Sequence, residues 1–303
     1  MVCAAGCRED FVIGISSEES EMLSMVSEID PSSPVVAQLA KTITLIGQVS
    51  DIDISQAEIN FGGSDFPTVF TKIIYTTQGD RFILRNNEFR VSPGEKYWVK
   101  AWLPESGIDT IMAETTVPEP LGLDNAEILE LNEIVINDEL SHYEAVLSIS
   151  FEQPSIQPAY FQFNPFRLLS TFRTDQSGQI VITDTSEREG LAIVSVLSGG
   201  NAVTELSHKS GIYIDYARLN GQELVIKVRT EQPLIKSDEL INKLNLDVHT
   251  LSEELNDYHL SLSQQLINSN SDFFRPSFDY SSNVVNGLGV LGSFSTKSIQ
   301  IEL

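Results

Sequence analysis

Across most of this chain apolar residues recur at every second position, in short runs closed by turn residues, and a single stretch keeps a helical period. A period of two sends side chains alternately to the two faces of a pleated strand. A chain built this way must bury one face of each sheet against another layer. From Lys41, the run Thr42-Ile43-Thr44-Leu45-Ile46-Gly47-Gln48-Val49 is β-branched and ends in an acidic turn at Asp51. Ala57 to Phe61 alternates before Gly62-Gly63. Val69 to Thr77 and Arg81 to Leu84 flank Gln78-Gly79-Asp80, which predicts a hairpin turn. Ser92-Pro93-Gly94 introduces Glu95 to Trp102, in which Tyr97, Val99 and Ala101 share one face while Trp98 and Trp102 lie on the other.

A Pro-Gly turn followed by Tyr at the start of a late strand resembles the tyrosine corner of immunoglobulin-type sandwiches. Thr110 to Val117 supplies a closing strand, so residues 41–118 are expected to form an immunoglobulin-like β-sandwich. Pro118-Glu119-Pro120-Leu121-Gly122 interrupts helix and ladder alike and reads as the linker. Beyond it, 127–136, 143–151, 191–197, 211–216, 223–230, 244–251 and 295–303 carry strand patterns. The helical stretch is 252–268. Ser252 is a good N-cap, Glu253 and Glu254 suit the positive end of the helix dipole, and Leu255, Tyr258, His259, Leu262 and Leu266 follow helical spacing. The expected fold class is mainly all-β: the immunoglobulin-like sandwich, then an irregular β-rich sandwich domain over 123–303 with one amphipathic helix.

Composition narrows the function classes. A chain of 303 residues with 41% hydrophobic and 20% charged residues is long enough for roughly two domains with buried cores. With 19 Lys+Arg against 43 Asp+Glu, the formal charge of -24 argues against binding nucleic acid or anionic lipid headgroups, both of which need clustered cations. No run of about 18 apolar residues occurs, so no helix is expected to span a membrane.

The two cysteines, Cys3 and Cys7, stand together at the start of the chain. A bridge between them would close a small terminal loop and constrain little, and a metal site would need further ligands nearby. The third reading is a lipoprotein processing box, Ala4-Ala5-Gly6-Cys7, although the position three before the cysteine is usually Leu and here is Ala4. Met1 to Gly6 leave no room for a basic n-region and an apolar stretch of about 7–15 residues, so either 1–7 are the remnant of a lipoprotein signal, which is the reading carried forward, or the box is accidental. Arg8-Glu9-Asp10 resembles the basic-then-acidic tripeptide that sends Bacteroidota lipoproteins to the cell surface. Residues 8–40 are accordingly expected to be export signal and acidic tether, with Asp30-Pro31-Ser32-Ser33-Pro34 a tether or turn.

A search for chemistry gives no catalytic constellation. His142, His208, His249 and His259 have no metal-ligand spacing, and His259 is expected on the helix surface. No nucleophile elbow, phosphate loop or dinucleotide fingerprint occurs, and no cofactor is expected. Asp51-x-Asp53 lacks the glycine and terminal glutamate of a calcium loop and reads as a solvated turn. Tyr97, Trp98 and Trp102 fit core packing better than a sugar-stacking platform. The sharpest local signal is Asn283-Val284-Val285-Asn286-Gly287-Leu288-Gly289-Val290-Leu291-Gly292. A phosphate cradle is weak there because no Lys or helix start follows. The glycines and asparagines, Asn283, Asn286, Gly287, Gly289 and Gly292, are expected to be structural, wrapping the second domain and delivering the last strand into its sheet.

That tail, preceded by Arg275-Pro276 and followed by serines and a short terminal strand, is similar to the ending of Bacteroidota domain-of-unknown-function family 4249 (DUF4249). Tyr258 in the preceding helix, the turn Gly94-x-x-Tyr97 and Thr116-Val117-Pro118-x-Pro120 fit the same layout. The resemblance implies a lipoprotein with lipid on Cys7, and many members are encoded beside TonB-dependent outer-membrane receptors. It implies a surface-exposed, outer-membrane, non-enzymatic accessory or binding subunit whose partner is a barrel protein of that type. A glycan-binding adhesin, which would show exposed aromatics in a shallow groove, is an alternative. A hydrolase, with two carboxylates facing each other at about 5–9.5 Å, is another. Members begin their sandwich soon after the cysteine, whereas this chain is expected to insert the acidic stretch 16–40 first.

Overall fold

The computed structural model describes residues 14–15, 22–41, 43–44, 54–63, 67–69, 71–73, 81–104, 106–153, 159–174, 177, 179–206, 211–235, 239–269 and 281–302. The protein is mainly β and divides into two compact units. The first takes the described residues up to Arg90 together with Lys96–Thr115 and Ser282–Leu291. The second takes Val91–Glu95, Thr116–Ser281 and Gly292–Leu303.

The first unit holds β1 (Gly14–Ile15), β2 (Leu23–Ile29), β3 (Val35–Lys41), β4 (Ile43–Thr44), β5 (Glu58–Gly63), β6 (Pro67–Val69), β7 (Thr71–Ile73), β8 (Arg81–Asn86), β9 (Lys96–Trp102) and β10 (Ile111–Thr116). One sheet runs β10-β9-β5-β6 and another run of strands is ordered β2-β3-β8-β7. Alternation decides which face is inside. In β9, Tyr97, Val99 and Ala101 are buried and Trp98 and Trp102 half-buried, as the period of two requires. Tyr97 stacks on Phe61 at 5.6 Å, and Phe89 meets both rings edge-on.

The tether expectation is corrected here. Within 8–40, expected as export signal and acidic tether, residues 23–29 form β2 and 35–40 most of β3, with Leu23, Met25, Ile29, Val35, Ala37 and Leu39 buried. The first β unit therefore starts well before Lys41, and no acidic insertion delays it over 22–40. The serines of β2 hid the pattern. Ser24 and Ser27 are buried but give their hydroxyls to the carbonyls of Ala40 and Val36 on β3. Asp30-Pro31-Ser32 is the turn between the strands, its Oδ1 accepting from the Ser32 amide at 2.8 Å. The runs expected at 45–49 and 74–77 and the turn at 78–80 lie outside the described residues.

The second unit contains β11 (Leu123–Val135), β12 (Leu140–Phe151), β13 (Tyr160–Thr174), β14 (Ile180–Ser198), β15 (Val203–Glu205), β16 (Ile212–Asp215), the short helix α1 (Tyr216–Leu219), β17 (Leu224–Thr230), β18 (Leu234–Ile235), β19 (Glu239–Leu251) and α2 (Glu253–Ser269). The last strand, β20 (Leu288–Glu302), gives its residues from Gly292 onward to this unit. The order is β11-β12-β17-β14-β13-β19-β20, every described pair antiparallel. Leu147, Ile149, Phe161, Phe163, Leu224, Ile226, Leu246 and Val248 form its core.

The long strand β13 has no counterpart in the sequence expectations, because Pro165 sits in its middle. The structure resolves the conflict. On one edge β13 pairs β16 through Tyr160–Phe163 and then β14 from Phe166, so Pro165 falls in the gap where no partner needs its missing N–H. On its other side Pro165 stands opposite Leu246 of β19.

Helix α2 begins one residue after the predicted cap. Ser252 Oγ accepts from the Leu255 amide at 3.4 Å and from the Ser293 amide at 3.2 Å, and the Ser252 amide donates to the Ser293 carbonyl at 2.9 Å. One serine thus ends β19, starts α2 and holds β20.

Candidate interaction surface

β11 and β12 form a long hairpin closed by Asn137, whose Oδ1 accepts from the amides of Glu139 and Leu140 at 2.8 Å. β12 is fixed along its length. On one side it pairs β17, with Glu144 opposite Arg229, and near its start it pairs β18 through Leu140 and Ser141. Glu144 is buried and receives Lys227 Nζ at 2.7 Å and Arg229 Nη2 at 2.6 Å. Those contacts, Lys227 first and Arg229 second, hold its carboxyl below the usual range against the opposing effect of burial. His142 Nδ1 lies 2.9 Å from the Thr230 carbonyl, and the Tyr143 amide donates to Thr230 Oγ1 at 3.2 Å.

β11 has the opposite character. It ends the sheet order and, among the described residues, pairs only β12. Every residue from Leu129 to Glu139 is exposed, including Leu129, Leu131, Ile134, Val135 and Ile136, with Val135 at 59%. Isolated exposed aliphatics are ordinary, but five within one hairpin arm form a patch of the kind that marks contact with another molecule. Residues 123–139 carry six acids, Asp124, Glu127, Glu130, Glu133, Asp138 and Glu139, and no Lys or Arg. A bulge lies between Ile128 and Glu130, after which the register with β12 is regular from Glu130 to Val135.

A second feature is a cavity of about 640 Å³, lined among others by Asn164, Glu205, Glu231, Asp247 and His249. Its lining residues Asn164, Asp247 and His249 sit in cross-strand pairs: Asn164 opposite Asp247 opposite Ser298, and Gln162 opposite His249 opposite Thr296. Asp247 accepts from Ser298 Oγ at 2.5 Å, and His249 Nδ1 lies 2.9 Å from Thr296 Oγ1. Asp247 and His249 are thus engaged with β20, whereas Asn164 Oδ1 is buried without a hydrogen-bond partner among the described residues.

The residues singled out from sequence fall as follows. Cys7, Arg8, Glu9 and Asp10 lie outside the described residues, as do Cys3, Asp51, Asp53, His208, Arg275 and Pro276. Trp98 and Trp102 share a half-buried face of β9, with Lys100 Nζ 5.9 Å from the Trp102 ring centre. His259 is corrected from helix surface to core: it is 2% exposed and its Nδ1 lies 2.7 Å from the buried Tyr213 hydroxyl.

The tail is also corrected in place. Residues 282–291 belong to the first unit, whereas the sequence had them wrapping the second. Asn283 Nδ2 donates to the carbonyls of Glu114 and Leu291, both at 2.9 Å, and its Oδ1 accepts from the Leu291 amide at 3.0 Å. Asn286, at φ 60°, donates to the Thr110 carbonyl at 3.2 Å, and Met112 and Val285 exchange backbone hydrogen bonds of 3.2 and 2.7 Å. Gly289, at φ 111°, lies directly against the Met25 backbone; a Cβ on Gly287 would stand 2.6 Å from the Leu23 carbonyl oxygen. The delivery of β20 is as expected, since Phe294–Glu302 pairs Lys243–Leu251 of β19.

The arm is what the sequence search passed over. Residues 127–136 read as a strand, but Ile134-Val135-Ile136 is apolar on both faces, without alternation, and sits among acids. That combination was the available signal for a strand with an uncovered side.

Compared with known proteins, the chain matches one family model, described as "Domain of unknown function (DUF4249)", over residues 8–300. No curated protein matches it.

Proposed function

The chain belongs to the DUF4249 family, and from that membership and the exposed arm we propose that it is a non-enzymatic binding subunit of an outer-membrane complex. In this reading it is anchored by lipid on Cys7, presented on the cell surface by Arg8-Glu9-Asp10, and works beside a barrel of the TonB-dependent receptor type. The observation that carries the reading is the β11–β12 arm, an aliphatic and acidic surface held out on a strand that is rigidly backed by β12. The engagement of Glu144, Asp247, His142, His249 and His259 within the fold supports binding over catalysis. The formal charge of -24 keeps such a body off an anionic surface within about a Debye length, which favours a stand-off from the lipid beneath it.

The test is affinity purification of the full-length protein from native membranes. Recovery of a stoichiometric barrel protein is the expected result, and recovery of the chain alone would overturn the accessory role. In parallel, Cys7→Ser should release the protein from membranes, and alanines at Arg8-Glu9-Asp10 should leave it lipidated but protected from protease added to intact cells. Surface exposure that persists in Cys7→Ser would sink the anchoring arm of the proposal.

A second reading, a glycan-binding adhesin, draws on Trp98 and Trp102, which present partly open rings on one face of β9. Glycan-array binding that is lost in Trp98→Ala and Trp102→Ala would favour it.

A further inference from the structure

We infer that the outer edge of β11, over Glu130–Val135, is a docking site for an extended segment of another protein that adds to the sheet as a further strand and carries alternating apolar and basic side chains. The inference rests on the reading of this protein as a binding subunit, and names the mode and chemistry of the contact.

A strand at the end of a sheet directs every other N–H and C=O away from its single neighbour. Proteins commonly blunt such an edge with a short strand, a proline, a lysine or a covering loop. β11 carries bulges at Leu123/Asn125 and Ile128/Glu130 and acids along its edge, but from Glu130 to Val135 its register is regular, it contains neither Pro nor Lys, and among the described residues no other strand pairs this edge. Its backing is stiff, because β12 is tied to β17 and β18 and by the buried Glu144–Lys227–Arg229 cluster, so the edge is pre-formed. Pre-formed edges are what strand addition uses, main-chain hydrogen bonds supplying affinity and alternate side chains supplying specificity.

The side chains decide the occupant. Leu131 and Val135 stand on one face, Ile134 on the other, and all three are exposed, so an incoming strand would cover aliphatic carbon on both faces. Glu127 and Glu130 line the same edge, and residues 123–139 contain no Lys or Arg. A second copy of this chain would bring the same acids against one another, which opposes edge-to-edge pairing. A segment with lysine or arginine between its apolar positions meets both features at once.

The experiment uses the full chain and two synthetic peptides of about ten residues, a usual strand length, one alternating Lys and Val and the other Glu and Val. Binding is read by fluorescence anisotropy, and its location by hydrogen exchange at 130–135. The Lys/Val peptide should bind and protect those amides, and the Glu/Val peptide should not. An N-methylated Lys/Val peptide, which keeps the charge but loses main-chain donors, should bind about tenfold more weakly or worse, a difference of about 1.4 kcal/mol. The double variant Glu130→Lys/Glu133→Lys should reverse the preference between the two peptides.

Equal binding of the N-methylated peptide would reduce the effect to charge adsorption and overturn the inference. So would failure of the Lys/Val peptide to protect 130–135, or protection that rises with protein concentration alone, which would mean a second copy occupies the edge. Purification of the double variant from membranes separates the two levels. A barrel recovered with wild type and variant alike would keep the accessory role and refute this edge as its contact; a barrel recovered with neither would refute the accessory role, leaving the peptide data to decide the edge.

Discussion

The tail 282–291 and the arm 129–139 are segments of similar length with opposite fates. The tail holds the motif that looks most like a recognition loop, yet its asparagine side chains are spent on the backbone of residues 110, 114 and 291, and Gly287 and Gly289 lie against β2. The arm looks like one more strand, yet all its side chains are exposed. The difference teaches that a conspicuous motif can mark a packing problem the chain had to solve. A surface free to meet a partner can be written in ordinary strand residues.

The comparison breaks most visibly at Gly289. Its φ of 111° is a region β-branched residues scarcely reach, and any Cβ would collide with the Met25 backbone. Gly289→Val should cost about 3 kcal/mol or more in urea denaturation, or prevent folding outright. A wild-type melting curve would show that the tail is not structural and would move it into the class of the arm. Asn283→Ala should follow at about 2 kcal/mol, since it removes two donors and an acceptor from one side chain and strands the Leu291 amide and carbonyl.

A third test concerns what keeps the arm's backing stiff. The carboxyl of Glu144 titrates below its usual range in the folded protein because Lys227 and Arg229 bond it. A depressed folded pKa means stabilisation that is fully present above the unfolded value and is lost as pH falls through the folded one. Glu144→Gln should therefore be less stable than wild type at pH about 7, where the carboxylate is ionised in both states, and the gap should close below pH about 4. The measurement is the difference in urea midpoint at the two pH values; a gap that stays constant would mean the cluster contributes shape and not charge.

How much of this was legible before the structure depends on whether local pattern and tertiary need agreed. Where they agreed, sequence sufficed: Ser252 capping α2 and the alternation of Tyr97, Val99 and Ala101 follow from residues within one or two turns of each other. β2 was missed because its buried serines are satisfied by β3, a partner that local pattern does not reveal. β13 was missed because the gap that tolerates Pro165 is made by two strands far along the chain. His259 was misplaced for the same reason, its hydroxyl partner being Tyr213. Of the candidate surface, the strand was legible, but its place at the end of the sheet order was not, since that is a property of all the other strands.

The smallest effect is expected in the arm itself. Leu131 and Val135 are exposed in the free protein, at 45% and 59%, so replacing them by Ser removes little buried area. Some cost remains from lower strand propensity and from contact with Ala145 and Ser141 across the pair. Leu131→Ser/Val135→Ser should thus stay within about 0.5 kcal/mol of wild type, the usual range for surface changes. The same variant should lose association with the partner recovered from membranes, because those aliphatics are what a bound strand would cover. Loss of stability comparable to Asn283→Ala would mean that the arm is packed against something in the folded chain, and the contrast with the tail would disappear. Unchanged stability together with unchanged association would place the contact elsewhere on the molecule.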